Sequence, residues 1–365
     1  MKILLFGDFS GFFTCLKDGL KKQGHEVFLV SDGNGYKNFP ADFRYDENAL
    51  FSGTRLKSLG YVINLWRHRK MLRGYDIVFF MDASILSRHY VCLNAPLYRY
   101  MIRHNKKSFL CGAGDTAIMS DYWYYSKEKY HHYIAGMEQR SKKKGAISLV
   151  NNKKMQKWEK ELFSLINGYI PIWYEYAQPF RDYPCIKKTI RIPIPIDKFE
   201  YKPNIVGDKV VFFHGISTRP EAKGTPIIEK AFDIMREKYS DEAEFIFAKG
   251  LPFNEYMDVI KRTNIILDNT NGYSVAMNGL FSMAQGKVVM GGAEPEGNRE
   301  LEIEGVNPVI NLKPDVDQVC AQIEYVIKNK DKIEEWGLAS RKFVEKYHNH
   351  IQIADEYIST YSNNE

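Results

Sequence analysis

Cysteine is scarce in this sequence, with five residues scattered among 365. None belongs to a C-x-x-C pair, and their spacing matches neither a zinc site nor a disulfide framework. An odd number of isolated thiols is typical of a reducing compartment. We therefore expect a cytoplasmic protein that needs no structural metal.

Long apolar runs, a dinucleotide fingerprint and a strong net charge are also missing. No apolar stretch approaches the roughly 20 residues of a membrane-spanning helix, and the run after Met1 is too short for a signal peptide. The absence of G-x-G-x-x-G disfavours a nicotinamide-dependent oxidoreductase, which is kept as an alternative enzyme class. The net charge of +6 is too small to predict nucleic-acid binding. These absences favour a soluble protein without a nucleic-acid partner.

Short apolar runs alternate with amphipathic segments along the whole chain. Buried strands are predicted at 2–8, 27–32, 76–82, 108–115, 146–152, 209–213, 243–250, 264–270 and 287–292. Strands that alternate with helical segments are typical of parallel sheets covered by helices, and the 44% hydrophobic content is enough for two cores. The sequence therefore predicts an α/β protein with two Rossmann-like, doubly wound parallel-sheet domains.

A proline-rich connector separates the two halves. Segment 190–204 contains three prolines and alternates isoleucine with proline, which disfavours a helix and stiffens the chain. We place the domain boundary at the end of this connector, near 199–208, and expect domains at 1–200 and 201–346. Ligands of such sheets bind outside the carboxyl ends of the strands, so we expect a site in the cleft between the domains.

The stretch KVVFFHGISTRPEAKGTP is the most informative part of the sequence. A buried strand ends near His214 and Gly215, a polar loop brings Arg219 and Lys223, and Pro226 suits the first turn of a helix. Two cations beside the positive end of a helix form a site for an anionic phosphate. The alternative is a surface loop with two solvated cations.

Polar or glycine-rich loops also follow the other strands predicted in the second half. Because the carboxyl ends of parallel strands meet at one edge, we expect these loops to surround the same ligand. Cations and amides suit phosphates, while amides and carboxylates suit the hydroxyls of ribose and hexose, which together predict a nucleotide-diphosphate sugar. The candidate donor-binding residues are His214, Gly215, Arg219, Lys223, Lys249, Asn271, Tyr273, Asn278, Glu294 and Glu296.

The segments HGISTRPEAKGTPIIEKA and ILDNTNGYSVAMNGLFSMAQGKVVMGG resemble the donor domain of glycosyltransferase family 4, which has the two-Rossmann GT-B fold. The order of elements is similar over nearly the whole chain, and the motifs cover its second half. The resemblance implies a retaining hexosyltransferase, with Arg219 and Lys223 on the donor diphosphate and no metal or other cofactor. It also implies a glycan or lipid-linked acceptor, in bacterial surface polysaccharide synthesis.

One motif of that family is incomplete here. Family members carry a Glu-x7-Glu motif, and the matching positions are Tyr273 and Phe281. We expect neighbouring groups to replace the two carboxylates, namely Asn271, Asn278, Glu294 and Glu296. The alternative is a homologue that binds sugar nucleotides without turnover.

Candidate acceptor-side groups follow the strands predicted in the first half. Asp115 resembles the Gly-x-Asp step of the family and is assigned to catalysis with Arg219 and Lys223; the alternative for Asp115 is a helix N-cap. No side-chain base is implied, because in retaining transfer by this fold the leaving diphosphate assists deprotonation. The other acceptor-side candidates are Asp8, Ser10, Gly11 and His131.

The last segment and three charged runs complete the predictions. Segment 347–365 has an apolar stripe, and the resemblance implies a helix that crosses back to the first domain. Asp315 and Asp317 follow a proline and are typical of a helix cap. The basic runs 66–70 and 142–144 are typical of solvated faces. The alternative is peripheral contact with anionic lipid at the inner face of a membrane.

Overall fold

A computed structural model describes residues 1–33, 38–54, 56–87, 90–130, 148–216, 220–249 and 253–362. Contacts divide the chain into two compact units. The first unit is Met1–Pro193 with His350–Glu365, and the second is Ile194–Asn349. The boundaries predicted from the sequence lie at 200/201 and 346/347, a few residues from these divisions.

The first unit is built on a parallel sheet with the strand order β3-β2-β1-β4-β5-β6. Its strands are β1 (Lys2–Phe6), β2 (Glu26–Ser31), β3 (Phe43–Arg44), β4 (Ile77–Phe80), β5 (Lys107–Gly112) and β6 (Gly168–Pro171). Its helices are α1 (Phe12–Lys22), α2 (Lys57–Arg67), α3 (Val91–His104), α4 (Ala117–Tyr125), α5 (Lys153–Leu165), α6 (Tyr174–Ala177) and α14 (His350–Ser362). The central strands β1 and β4 are apolar and buried on both faces, as expected for a parallel sheet under helices.

The last helix, α14, packs against α1 within the first unit. A side chain at Gly19 of α1 would collide with the backbone oxygen of His350, so this glycine allows the two helices to approach closely. Tyr357 is fully buried, and its ring packs edge-on against Phe12 and Phe79. The apolar stripe of the last segment thus covers the sheet of the first unit.

The second unit contains a parallel sheet with the strand order β11-β10-β9-β7-β8. Its strands are β7 (Val210–Ile216), β8 (Ala243–Lys249), β9 (Ile265–Leu267), β10 (Val288–Gly291) and β11 (Ile310–Asn311). Its helices are α7 (Pro220–Lys223), α8 (Thr225–Lys238), α9 (Phe253–Arg262), α10 (Met277–Ala284), α11 (Pro295–Glu300), α12 (Val316–Lys328) and α13 (Ile333–Tyr347). The apolar faces of α8 and α12 cover one core with the strands.

Most predicted elements are observed, and the fold class is confirmed, with two Rossmann-like units of parallel strands and alternating helices. The sequence predicts one helical segment over 332–361, but the structure has two helices there, α13 and α14, because the chain between them forms a parallel bridge from Asn349 to Ile194. The strand predicted at 146–152 is wrong in its described part, where 148–152 forms turns. Asp315 caps α12 and accepts a hydrogen bond from Gln318 N, as predicted. Among the described residues, no helix is long and apolar enough to cross a membrane.

Candidate functional site

The loop between β7 and α8 brings Lys223 to the carboxyl end of the second sheet. After β7, residues 217–219 lie outside the described residues, and with them the predicted donor contact Arg219. The short helix α7 ends at Lys223, and Gly224 then adopts a left-handed conformation with φ of 73°. A side chain at Gly224 would also collide with Thr270 Oγ1, so both the backbone and the space require glycine. Helix α8 therefore begins directly beside Lys223.

The ammonium of Lys223 forms an ion pair with Oδ1 of Asp268. Asp268 follows β9, and its side chain is 1% exposed, against 20% for Lys223. The second carboxylate oxygen accepts hydrogen bonds from Ala276 N at 2.7 Å and Asn269 Nδ2 at 3.1 Å. Both oxygens of Asp268 are therefore used, and Lys223 lies at the edge of a buried polar network.

The charge of Asp268 is stabilised by these partners. Burial alone would raise the pKa of Asp268, but the nearby Lys223 ammonium and the hydrogen bond from Ala276 N hold it below its ordinary value. Asp268 is thus an ionised carboxylate inside the protein, compensated by one partly exposed cation. Sequence reasoning did not include Asp268 among the site residues, although a carboxylate directly after an apolar strand was a usable signal.

Two further contacts fasten the loop of Lys223 to the loop that follows β9. Thr270 N donates to Lys223 O at 3.0 Å, and Asn271 Nδ2 donates to Glu221 O at 2.9 Å. We call residues 220–225 and 268–271 the Lys223 cradle. The cradle holds the backbone of Lys223 in place, and Asp268 directs its side chain.

His214 supports the cradle from inside the sheet. The side chain is buried in β7, with Nδ1 2.8 Å from Leu267 O and Nε2 2.8 Å from Thr225 Oγ1. A carbonyl only accepts, so Nδ1 carries the proton and Nε2 accepts from the Thr225 hydroxyl. His214 thus ties β7 and β9 to the first residue of α8. Its predicted contact with a donor stays a prediction, and in this structure its ring nitrogens bind the protein.

The other predicted donor-binding residues are divided between buried and half-buried positions. Tyr273 and Glu294 are buried, and Glu294 Oε1 accepts from Asn311 Nδ2 at 2.9 Å. Glu294 N also donates to Tyr273 O at 3.1 Å, which joins the loops after β9 and β10. The half-buried candidates are Gly215, Asn271, Asn278 and Glu296, while the side chain of Lys249 lies outside what the structure describes.

The acceptor-side candidates of the first unit include one residue with a clear structural role. Asp8 is buried after β1 and accepts hydrogen bonds from Phe13 N at 2.9 Å and from Thr14 N and Oγ1 at 3.3 and 2.7 Å. It therefore anchors the start of α1. Ser10 and Gly11 form the left-handed turn before that helix, with φ of 55° and 81°. His131 falls outside the described residues.

Asp115 lies half-buried between β5 and α4. The N-cap of α4 is Thr116, whose Oγ1 accepts a hydrogen bond from Met119 N at 3.1 Å. The alternative that Asp115 is the N-cap is therefore wrong. Gly114 packs directly against the buried carboxylate of Asp82, which follows β4. Because β1, β4 and β5 are adjacent, Asp8, Asp82 and Asp115 all follow the carboxyl ends of neighbouring strands. Asp82 was not among the predicted site residues.

Replacing His214 by glutamine is expected to remove a pH-dependent part of the stability. Burial lowers the pKa of His214 from 6.5 to about 4, so the unfolded chain takes up a proton at a higher pH than the folded protein does. The neutral, buried His214 therefore contributes its full stabilisation at a pH above its pKa in the unfolded chain. As the pH falls toward its pKa in the folded protein, the free energy of unfolding decreases by roughly 3 kcal/mol in all. Urea unfolding of the wild type and His214→Gln across this range measures the difference.

Two comparisons make the His214 experiment specific. Burial raises the pKa of Asp8 from 3.8 to about 6, which acts with the opposite sign over the same range. Asp8 is common to both proteins, so its effect cancels in the difference. The exposed His104 provides the matched control, and His104→Gln is expected to keep the wild-type pH dependence. An unchanged pH dependence in His214→Gln would contradict the assignment.

No family model matches the chain, and no curated protein matches it either. Among solved structures, the chain is similar to sucrose-phosphate synthase from Thermosynechococcus elongatus, with 13% identity and a TM-score of 0.66 over 100% of this chain and 99% of that one. It is also similar to Anabaena HepE in complex with UDP and glucose, with 14% identity and a TM-score of 0.59 over 100% of both chains. A glycosyltransferase from Rickettsia africae has 12% identity and a TM-score of 0.56, over 99% of this chain and 98% of that one.

Identities this low show the fold alone. The three proteins match nearly all of this chain, so the likeness extends over both units. The chain therefore has the two-Rossmann GT-B fold.

Proposed function

We propose that the protein is a glycosyltransferase that moves a hexose from a nucleotide-diphosphate sugar, with the donor diphosphate at the Lys223 cradle. The observation that carries the proposal is the position of Lys223, a cation directed by a buried carboxylate at the start of α8. At such a position, a positively charged hydrogen-bond donor lies beside the positive end of a helix, and both attract phosphate. The similarity in fold to sucrose-phosphate synthase and HepE supports the proposal.

In the proposed reaction, the cradle stabilises the leaving diphosphate. A lysine ammonium has three N–H donors, and one of them is directed at Asp268, which leaves two for phosphate oxygens. Negative charge grows on the diphosphate as the glycosidic bond breaks, so the cation stabilises the transition state more than the bound donor. Arg219 is proposed as the second cation.

The donor proposed first is a uridine-diphosphate hexose, because HepE was solved with UDP-glucose. The family's two glutamates are replaced here by Tyr273, which is buried, and Phe281, which stacks on Phe199 with ring centroids 5.2 Å apart. Recognition of the hydroxyls is therefore assigned to the half-buried Asn271, Asn278 and Glu296. The transfer is proposed to be retaining, without a metal ion or another cofactor.

The proposed acceptor is a glycan or lipid-linked glycan of bacterial surface polysaccharide synthesis, with Asp115 on the acceptor side. Peripheral contact with an anionic membrane is part of the same proposal. Arg67, Arg69 and Lys70 are exposed in the first unit, and so are the apolar side chains of Phe51 and Leu56. Exposed cations and exposed apolar side chains are both features that an anionic membrane surface attracts. Loss of sedimentation with anionic vesicles in Arg67→Ala/Arg69→Ala/Lys70→Ala tests this contact.

A donor panel tests the function. We expect UDP-hexoses to raise the melting temperature, and the protein to hydrolyse one of them slowly or transfer its sugar to an added acceptor. GDP and CMP sugars serve as the competing donors, and NADH is expected not to bind. Lys230→Ala removes an exposed lysine from the same helix, α8, and is expected to behave as the wild type.

The possible results separate three functions. Stabilisation by a nucleotide sugar with turnover supports the transferase. Binding without hydrolysis or transfer to any acceptor would instead indicate a sugar-nucleotide-binding homologue, consistent with Tyr273 and Phe281 at the glutamate positions. NADH binding without any effect of nucleotide sugars would favour the oxidoreductase and contradict the proposal.

A further inference from the structure

Two adjacent residues of helix α5 bind the loops that follow β4 and β5 in the first unit. Trp158 Nε1 donates to Ala83 O at 2.8 Å, and both carboxylate oxygens of Glu159 accept hydrogen bonds from the start of α4. Both side chains are buried, with exposures of 2% and 0%. The two loops carry Asp82 and Asp115, so α5 holds the backbone of the proposed acceptor side.

Glu159 fixes the first turn of α4, which begins directly after Asp115 and Thr116. Glu159 Oε1 accepts from Ala117 N at 2.7 Å, and Oε2 accepts from Ile118 N at 2.9 Å. The next amide of this turn donates to Thr116 Oγ1 at 3.1 Å. Three successive amides of the first turn are therefore bound by side chains, although a helix start by itself leaves them unpaired. This arrangement fixes the chain on the C-terminal side of Asp115.

The chain is also confined on the N-terminal side of Asp115. A side chain at Gly114 would collide with Oδ2 of Asp82, so Gly114 packs directly on that carboxylate. Oδ1 of Asp82 accepts hydrogen bonds from Ser84 N at 2.6 Å and from Ser84 Oγ at 3.1 Å. The hydrogen bond from Trp158 holds the residue between these two. The surface under Gly114 is therefore fixed by the same helix, α5.

The carboxylate of Glu159 provides rigidity at a cost. Burial removes the hydration of a carboxylate, and the two amides together with the positive end of α4 offset part of that loss. Two oxygens of one rigid group bind two neighbouring amides, which a single hydroxyl or water molecule does not reproduce. Groups that act on a substrate need their supporting contacts to hold them within about 0.5 Å of the productive position. Glu159 is placed to do this for Asp115.

We propose that Glu159 is a positioning residue for the transfer reaction, holding Asp115 toward the acceptor through the first turn of α4. Trp158 supports it by holding the loop of Asp82. This inference rests on the proposed function, in which Asp115 lies on the acceptor side. It adds that the acceptor step depends on two buried side chains of α5, neither of which was among the residues predicted from the sequence.

The ratio of sugar transfer to donor hydrolysis tests this role. Both activities need folded protein, so a loss of folded protein alone leaves their ratio unchanged. UDP-glucose is the donor and octyl β-D-glucoside is the acceptor probe. The test variant is Glu159→Gln, which keeps the size of the side chain but offers one acceptor oxygen to two amides. We expect the ratio to fall about tenfold or more, because a small displacement of a positioned group is enough for such a loss.

Two further variants accompany Glu159→Gln. Glu161→Gln makes the same substitution on α5 and removes a half-exposed ion pair with Arg99, so it is expected to keep the wild-type ratio. Trp158→Phe keeps an aromatic ring in the core and removes the hydrogen bond to Ala83 O. We expect a smaller fall in the ratio for Trp158→Phe, which provides the second test if Glu159→Gln folds poorly.

A double variant shows whether Glu159 acts through Asp115. Asp115→Asn alone is expected to lower the ratio. Adding Glu159→Gln to it should have little further effect, because the group that Glu159 positions is already changed. Losses that multiply in the double variant would mean that the two residues act independently, and would overturn the inference.

The results separate the failure of this inference from the failure of the proposed function. A wild-type ratio in folded Glu159→Gln and in Trp158→Phe, together with a lowered ratio in Asp115→Asn, overturns the inference and leaves the proposed function intact. A wild-type ratio in Asp115→Asn, or no transfer by the wild type, contradicts the acceptor side of the proposed function. The inference is then wrong as well.

Discussion

Lys223→Met is expected to lower donor-dependent turnover by about one to two powers of ten, because it removes one charge-assisted contact to the leaving diphosphate. The loss should appear mainly in kcat, since the charge on the diphosphate is greatest in the transition state. Initial rates of donor hydrolysis or transfer at saturating and limiting donor measure it. Lys230→Met on α8 is the matched control, an exposed lysine of the same helix.

Near-normal turnover in Lys223→Met would contradict the assignment of the donor diphosphate to the Lys223 cradle. The central claim of the proposed function would then be wrong. A rise in KM with unchanged kcat would mean that Lys223 binds the donor equally before and during the reaction. Lys223 is also the ion-pair partner of a buried carboxylate, so Lys223→Met is expected to lower the stability as well. If both the activity and the folded fraction fall, the loss of turnover has to be distinguished from the loss of folded protein. For Lys223, that second role disfavours the alternative drawn from the sequence, a solvated cation in a surface loop.

The position of Lys223 could be predicted from the sequence, but its partner could not. A lysine and a glycine between a buried strand and a helix with proline in its first turn are local signals. Asp268 lies 45 residues further along the chain. It reaches Lys223 because β9 lies beside β7 in the sheet. Strand order is a property of the whole fold, and no local pattern in the sequence contains it.

His214 and Asp115 illustrate two other limits of prediction. The hydrogen bonds of His214 within the protein were not predicted, because they depend on β7 lying between β8 and β9 and on Thr225 at the start of α8. The contact of His214 with a donor stays a prediction. The sequence left open that Asp115 is the N-cap of α4, but the N-cap in the structure is Thr116, one residue later. Buried strands were predicted well because apolar runs of this length have few other uses in an α/β chain. Two-residue strands such as β3 and β11 carry too little pattern to be found.

A double-mutant cycle on Lys223 and Asp268 is expected to give the largest change in stability. Lys223→Met alone leaves an uncompensated carboxylate inside the protein and should lower the free energy of unfolding by about 3 to 5 kcal/mol. Asp268→Asn alone should lower it less, because Lys223 keeps contact with solvent. The double variant leaves no unpaired charge, so its stability should return to within about 2 kcal/mol of the wild type. Urea unfolding of the four proteins measures the coupling.

Activity measured on the same four proteins separates the two roles of Lys223. If the cation stabilises the leaving group, the double variant regains stability but stays at least about tenfold less active than the wild type. Asp268→Asn is expected to retain part of the activity, since the ammonium is still present but no longer directed by the carboxylate. Recovery of both stability and turnover in the double variant would mean that Lys223 serves only to neutralise Asp268. Additive stability losses would instead contradict the ion pair itself, because independent side chains show no coupling.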